Sequence, residues 1–148
     1  MEWTRDAFTV TTDRARLDRD VIHRFLASSY WAENIPRAVV DKAIDNSLCF
    51  GLLEESRQIG FARVMTDCAT FAYLADVFVL PDHRGAGLGK WLIECVMSHP
   101  ELQGLRRRLL GTRDAHGLYR QFGFTPLKHP EIFMEIVNRD LYSAAKER

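Results

Sequence analysis

Between Phe71 and Met97 the chain changes its hydrophobic period, and that change limits what can surround it. Phe71 to Leu80 (FAYLADVFVL) is an almost unbroken apolar and aromatic run, of the kind that fills a buried strand. Pro81-Asp82-His83 ends it, and Arg84-Gly85-Ala86-Gly87-Leu88-Gly89-Lys90 follows. From there Leu88, Trp91, Leu92, Cys95 and Val96 fall at i, i+3, i+4, i+7 and i+8, one face of a helix. The pattern predicts a buried strand, a glycine turn and a helix. A helix start carries N–H groups without internal partners, and the helix dipole adds partial positive charge. Glycines at 85, 87 and 89 remove the side chains that would hold a ligand away from those groups. With Arg84 and Lys90 beside them, the expected occupant is a pyrophosphate.

Two common glycine-loop patterns do not fit. In G-x-x-x-x-G-K-[ST], Arg84 would occupy the first glycine and Trp91 the hydroxyl position. In G-x-G-x-x-G starting at Gly85, Lys90 stands where glycine is required. What fits at every defined position is V-x-P followed by R/Q-x-x-G-x-G/A, read from Val79 through Pro81 and Arg84 to Gly89. The stretch resembles the acetyl-CoA-binding segment of the GNAT N-acetyltransferase superfamily. That resemblance implies that the backbone of Val77, Phe78 and Val79 pairs with the pantetheine arm. It also implies that Gly85, Ala86, Gly87, Leu88, Gly89 and Lys90 hold the pyrophosphate, next to Arg84. The competing reading is a plain strand-to-helix turn capped by glycines.

A second match lies downstream. In His116-Gly117-Leu118-Tyr119-Arg120-Gln121-Phe122-Gly123-Phe124, a tyrosine precedes Gly-Phe by four and five residues, similar to the Y-x-x-x-G-F of the same superfamily. There the tyrosine protonates the departing CoA thiolate, a role that suits a phenol protonated at neutral pH. The resemblance assigns that role to Tyr119, against a purely structural tyrosine between helix and sheet. His116 is a rival acid or base. Thr112 stands where many members carry an Asn that contacts pantetheine, and is the candidate for that contact.

An amine must lose a proton before it attacks, so a carboxylate near the thioester is expected. Asp76 interrupts the apolar strand where an unpaired charge would be costly. It is the candidate proton acceptor, against a role as a structural cap; Glu54 and Asp67 are lesser candidates. Diamine acetyltransferases carry a Glu-Asp pair at this place, and here the first of the pair is Ala75. Tyr30 and Trp31 lie between the first two predicted helices, a connection that often walls the acceptor site in the superfamily. As an aromatic wall facing Asp76 they would suit a cationic or aryl-bearing amine; edge packing is the alternative.

The remaining chain is ordered around these pieces. Strands are expected at Phe8–Thr12, Leu48–Glu54, Gln58–Met65, Arg108–Thr112, Phe124–Leu127 and Phe133–Val137, besides the run 71–80. Helices are expected from Leu17 to Leu26, Ile35 to Ile44 and Ala115 to Phe122, besides the one from Leu88, with Asp140–Lys146 as a polar end. This order also resembles the GNAT fold: an α/β (α+β) domain spanning 1–148. It implies a mixed, mostly antiparallel sheet of six to seven strands, parallel splayed central strands and about four helices.

Charge and cysteine use narrow the partners. Lys plus Arg equals Asp plus Glu at 20 each, so no bulk field selects nucleic acid or membrane. Arg106-Arg107-Arg108 reads as a solvated approach to a strand. No apolar run approaches the roughly 20 residues of a membrane span, and Met1-Glu2-Trp3-Thr4-Arg5-Asp6 is unlike a signal peptide. Cys49, Cys68 and Cys95 form no framework and suit a reducing cytoplasm; the five histidines show no ligand spacing, and no metal is expected. The sequence therefore points to a cytoplasmic acetyl-CoA-dependent acetyltransferase acting on a small-molecule or peptide amine, with a homodimer among its expected states. The alternative is a non-catalytic acyl-CoA-binding sensor on the same fold.

Overall fold

The structure, a computed structural model, describes residues 1–143. One six-stranded sheet runs in sequence order: β1 (Glu2–Arg5), β2 (Phe8–Thr11), β3 (Leu48–Glu54), β4 (Arg57–Thr66), β5 (Phe71–Val79) and β6 (Arg107–Leu110). Neighbours are antiparallel from β1 to β5, and β5 with β6 is parallel. The helices are α1 (Arg19–Ala27), α2 (Arg37–Asp45), α3 (Leu88–Ser98) and α4 (His116–Arg120). Ile22, Leu26, Val40 and Ile44 bury α1 and α2 on one face, against Cys49, Phe61 and Phe78. On the other face α3 and Tyr119 of α4 cover Phe50, Leu52, Ala62, Val64, Ala72 and Leu74.

β5 carries the feature on which the site depends. Phe61 of β4 faces Phe78, but Arg63 faces Ala75, so β5 holds one extra residue there. Asp76 absorbs it with φ 56°, a left-handed conformation that Asp tolerates better than most side chains. The bulge shifts the two-residue alternation by one. Ala72 and Leu74 point to α3; beyond the bulge it is Val77 and Val79 that pack on that side, while Phe78 turns to the α1/α2 side. Parallel pairing with β6 covers only Phe71–Leu74 against Arg107–Leu110, so the second half of β5 is open on that side.

The main departures from the sequence expectations lie at the first strand, at the last strand and in the segments after α4. β1 is an additional strand, held by its pairing with β2 and by Trp3, whose ring lies 6.0 Å from Phe50 and 6.2 Å from His99. The parallel strands therefore become the fifth and sixth. β6 spans Arg107–Leu110 rather than Arg108–Thr112, because the chains diverge after Leu110. Phe124–Leu127 and Phe133–Val137 are not strands: the ladder ends at β6, and no described residue pairs with either segment. In the expected polar end Asp140–Lys146, residues 139–142 form turns, and Ala144 onward lies outside the described residues.

Gly60 reports how tightly β4 meets β5. A Cβ built there would lie 2.8 Å from the Phe78 carbonyl oxygen and 3.1 Å from Leu52 Cβ. Gly60→Ala must push backbone against backbone, and is expected to cost about 1–3 kcal/mol, read from urea unfolding at unchanged m-value.

Candidate active site

Two helix starts show how the sequence treats its orphan N–H groups. At α1, the Asp18 side chain accepts from the N–H groups of Asp20 and Val21, which closes that end. At α3, the residue before the helix is Gly87, left-handed at φ 76°, and no side chain caps it. The first-turn N–H groups are thus left to a ligand. A Cβ at Gly85 would meet nothing within 4 Å, and one at Gly87 only Arg5 Nη2 at 3.9 Å. The turn is a bare concave backbone surface. Arg84 donates from Nε to the Val79 carbonyl (2.9 Å), which ties the loop to the end of β5. Lys90 is exposed on the first turn of α3.

Arg5 joins this loop without any motif to announce it. It stands at the end of β1, with its guanidinium 5.1 Å from the centre of the Trp91 ring. Its place depends on a strand whose sequence, EWTR, carries no clear strand pattern.

Beside the loop, the divergence of β5 and β6 opens a cleft of about 370 Å³ that holds Tyr30, Trp31, Asp76, Val77, Thr112 and Tyr119 on its walls. The Leu80 N–H donates to the Ile59 carbonyl. By the antiparallel alternation, Phe78 then turns its backbone groups to β4, and Val77 and Val79 turn theirs to the open side. The Phe78 ring is buried, stacked 4.0 Å from Phe25. Of the three residues expected to meet pantetheine, Val77 therefore keeps both backbone groups available and Val79 its N–H, since its carbonyl already accepts from Arg84.

Asp76 is held from two sides. Its Oδ1 accepts from the Trp31 indole N–H (2.9 Å) and its Oδ2 from Arg63 Nε (2.8 Å), with both members of the ion pair largely buried. Arg63 Nη1 donates in turn to Ser47 Oγ at 3.1 Å. The wall residues also reach the far lip: Arg113 N–H donates to the Tyr30 hydroxyl (3.2 Å), and the Arg113 guanidinium sits 3.8 Å from the centre of the Tyr30 ring. Tyr30 and Trp31 meet edge to face at 5.1 Å. The connection between α1 and α2 thus bridges the cleft, fastened to β5 through Asp76 and to the β6–α4 loop through Arg113.

Tyr119 lines the same cleft from α4, and burial, with Tyr30 nearby, pushes its phenol up to about 12. Thr112 Oγ1 accepts from the Ala115 N–H, capping the turn before α4. The other candidates fall elsewhere. Asp67 accepts from the N–H groups of Ala69, Thr70 and Phe71 and from the Thr70 hydroxyl, bonds that hold its carboxyl well below the usual range and make it a loop cap. Glu54 lies 3.5 Å from His83. His116 lines a second cavity along β6, which shares Thr112 and Tyr119 with the cleft but not Asp76. Cys49 and Cys95 are buried, their thiols pushed up to about 11 and about 12. Besides Arg5, sequence reasoning passed over Arg63, Arg113 and Asp114, which pairs with Arg113 at the lip. Arg63 carried a usable signal: like Asp76, it interrupts an apolar strand. Among the described residues no helix is long and apolar enough to cross a membrane, and no three His, Cys, Asp or Glu converge as metal ligands.

Comparison with known proteins agrees with this geometry. The sequence model of the acetyltransferase (GNAT) domain matches residues 45–126. A Gibberella zeae protein named as an acetyltransferase is 36% identical over 79% of this chain and 78% of its own length. An uncharacterized N-acetyltransferase, ycf52-like, of Prochlorococcus marinus is 34% identical over 72% of this chain and 62% of its own. The crystal structure of a Xanthomonas campestris protein assigned to the GNAT family is 55% identical and superposes with a TM-score of 0.90, covering 92% of this chain and 96% of that one.

The Arg63–Asp76 pair is buried enough that removing one member strands the other. Asp76→Asn is expected to destabilise the protein by about 3 kcal/mol or more in the presence of Arg63. In an Arg63→Met background, where no cation is stranded, the same change should cost far less. A double-mutant cycle on urea midpoints measures the difference.

Proposed function

The chain belongs to the GNAT acetyltransferase family, and on that premise we propose that it moves an acetyl group from acetyl-CoA to a primary amine of a small molecule or peptide, by direct attack with both substrates bound. One juxtaposition carries the reading. The uncapped glycine start of α3 lies at the end of the same β5 whose open half lines the cleft containing Asp76 and Tyr119. The residues fit the group: glycines without obstruction, unpaired helix N–H groups, and the cations Arg5, Arg84 and Lys90 suit a pyrophosphate. The open backbone groups of Val77 and the Val79 N–H suit an amide-bearing arm, with Thr112 at its side.

Acetyl-CoA supplies the acetyl group as an activated thioester. Tyr119 donates the proton of its hydroxyl to the departing sulfur, where negative charge develops. A phenol pushed up to about 12 by burial stays protonated through the neutral range, as this role requires. Asp76 takes the proton that the amine must lose, directly or through water. An alkylamine with pKa near about 10 is mostly an ammonium at pH 7, and a fixed carboxylate draws that form in. Tyr30 and Trp31 frame the acceptor, and their ring faces beside a carboxylate suit a cationic or aryl-bearing amine. The three cysteines, all free, suit a reducing cytoplasm.

Two measurements test the reading. Tyr119→Phe keeps the ring and deletes the donor. kcat is expected to fall by roughly 10²–10⁴-fold with little change in acetyl-CoA affinity, and the wild-type enzyme should show no loss of rate from Tyr119 ionisation until the pH nears about 12. A drop below threefold with chemistry rate-limiting transfers the role to water or another group, and binding without turnover in the wild type points to a sensor. Gly87→Glu places a carboxylate and a strained backbone at the turn, and is expected to raise the acetyl-CoA dissociation constant tenfold or more, about 1.4 kcal/mol. Calorimetry on a folded variant with unchanged affinity would remove the phosphate-site assignment.

A further inference from the structure

One lip of the cleft carries a cation whose donors are unused. Arg113, in the β6–α4 loop, lays its guanidinium over the Tyr30 ring at 3.8 Å, and its backbone N–H donates to the Tyr30 hydroxyl at 3.2 Å. Stacking on a ring face fixes the guanidinium plane, while the side-chain N–H groups, which lie in that plane, point past the ring edge. Among the described residues none of them makes a hydrogen bond of ordinary length: Asp114 Oδ2, the acid beside it, is 3.7 Å from Nη2. Arg63, the other arginine of this network, is by contrast consumed, by Asp76 through Nε and by Ser47 through Nη1.

The cleft is therefore polar at two ends and aromatic between them. Asp76 stands at the β5 end, bonded to the Trp31 indole N–H; Trp31 meets Tyr30 edge to face; Tyr30 carries Arg113. An amine with no other polar group would meet only the Asp76 end. A diamine would bring a second ammonium towards the guanidinium, which repels it, and one face of Tyr30 that could have held that cation is already covered. An amine with a carboxylate beyond a flat apolar spacer meets the whole arrangement. Its ammonium is drawn by Asp76, its spacer lies along Trp31 and Tyr30, and its carboxylate takes the forked donors of Arg113. With Asp114 close by, this lip suits a singly charged anion better than a dianionic phosphate.

Resting on the acetyl-transfer reading above, we propose that the acceptor is a primary amine that also carries a carboxylate, held off the amine by an aryl or similarly flat spacer, and that Arg113 selects it by gripping that carboxylate. Arg113 acts on the part of the acceptor that does not react. Its effect is therefore discrimination between acceptors, rather than a change in the chemistry common to all of them. The same side chain then serves two ends: it holds Tyr30 by the ring face and the substrate by its own edge.

Matched pairs of acceptors test this on the full chain. The para-(aminomethyl), meta-(aminomethyl) and para-(aminoethyl) benzoates vary the spacing between amine and acid. Each is compared with its own carboxamide, nearly equal in shape and without the charge, in acetyl transfer and, by calorimetry, in binding to the CoA-loaded protein. For at least one pair the carboxylate should be favoured by about tenfold or more, in kcat/KM and in affinity. Arg113→Gln should bring that ratio close to one, and Arg113→Glu should turn it in favour of the carboxamide. A role confined to fastening Tyr30 lowers both members of a pair together and leaves the ratio as it was, which overturns the proposal. So does a wild-type ratio near one in every pair, and so does a failure of every carboxylate to bind. Carboxylates that bind in the Arg113-dependent way without being acetylated leave the selection by Arg113 standing and sink the acetyl-transfer reading instead. Carboxamides acetylated as well as the carboxylates do the reverse.

Discussion

Backbone N–H and C=O groups along an extended strand call for partners, and the parallel pair at the end of this sheet, by stopping early, leaves several of them facing an open cleft. β5 and β6 run together for four residues and then part. The open half of β5 needs something that offers hydrogen bonds along an extended line, and the bulge at Asp76 decides how that half is presented. Almost every other feature of the site serves this opening. The α1–α2 connection spans it, Asp76 and Arg113 fasten that span at either lip, and α3 begins at its end with N–H groups left bare. The cleft is thus a place where the sheet is unfinished by design of its pairing, rather than a hollow left between finished elements.

A net charge of zero conceals a lopsided distribution. The α1/α2 layer spends its charges on itself: Arg19 pairs with Asp41 and Asp45, and Arg37 with Asp20 and Asp41. Around the start of α3 the cations Arg5, Arg84 and Lys90 form no salt bridge among the described residues. A local positive field at a bare helix start sits on a molecule with little pull on polyanions at large. That arrangement favours a small, concentrated anion such as a pyrophosphate over a long polymer.

The parts of the fold legible in the sequence were those where one residue period governs a long run. The strand from Phe71, the helix from Leu88 and the strand Leu48–Glu54 all declare themselves in this way. β1 did not, because an edge strand of four residues with only Trp3 half-buried has no apolar alternation to show. The segments 124–127 and 133–137 showed the opposite mismatch: their pattern is that of strands, but a strand exists only where a neighbour supplies its hydrogen bonds. In the site, the glycine turn was legible since its chemistry is local. Asp76 was visible as an interruption, yet its partners Trp31 and Arg63 lie 45 and 13 residues away, and no local pattern joins them. Arg5 was invisible for the same reason as the strand that carries it.

The extra residue at Asp76 has a consequence for how such a chain can change over generations. Side chains along Ala75–Val79 can be exchanged one at a time, with effects confined to what each one touches. Deleting a single residue there is a different kind of event. Removal of Asp76 would leave an unbulged ladder with Val77 and Val79 still toward α3 and Phe78 still toward α1/α2, but would erase in one step both the left-handed residue and the carboxylate that Trp31 and Arg63 hold at the cleft. The length of this strand is therefore a stiffer inheritance than its composition. Lineages descending from such a chain can be expected to vary in letters through this stretch and to keep its count.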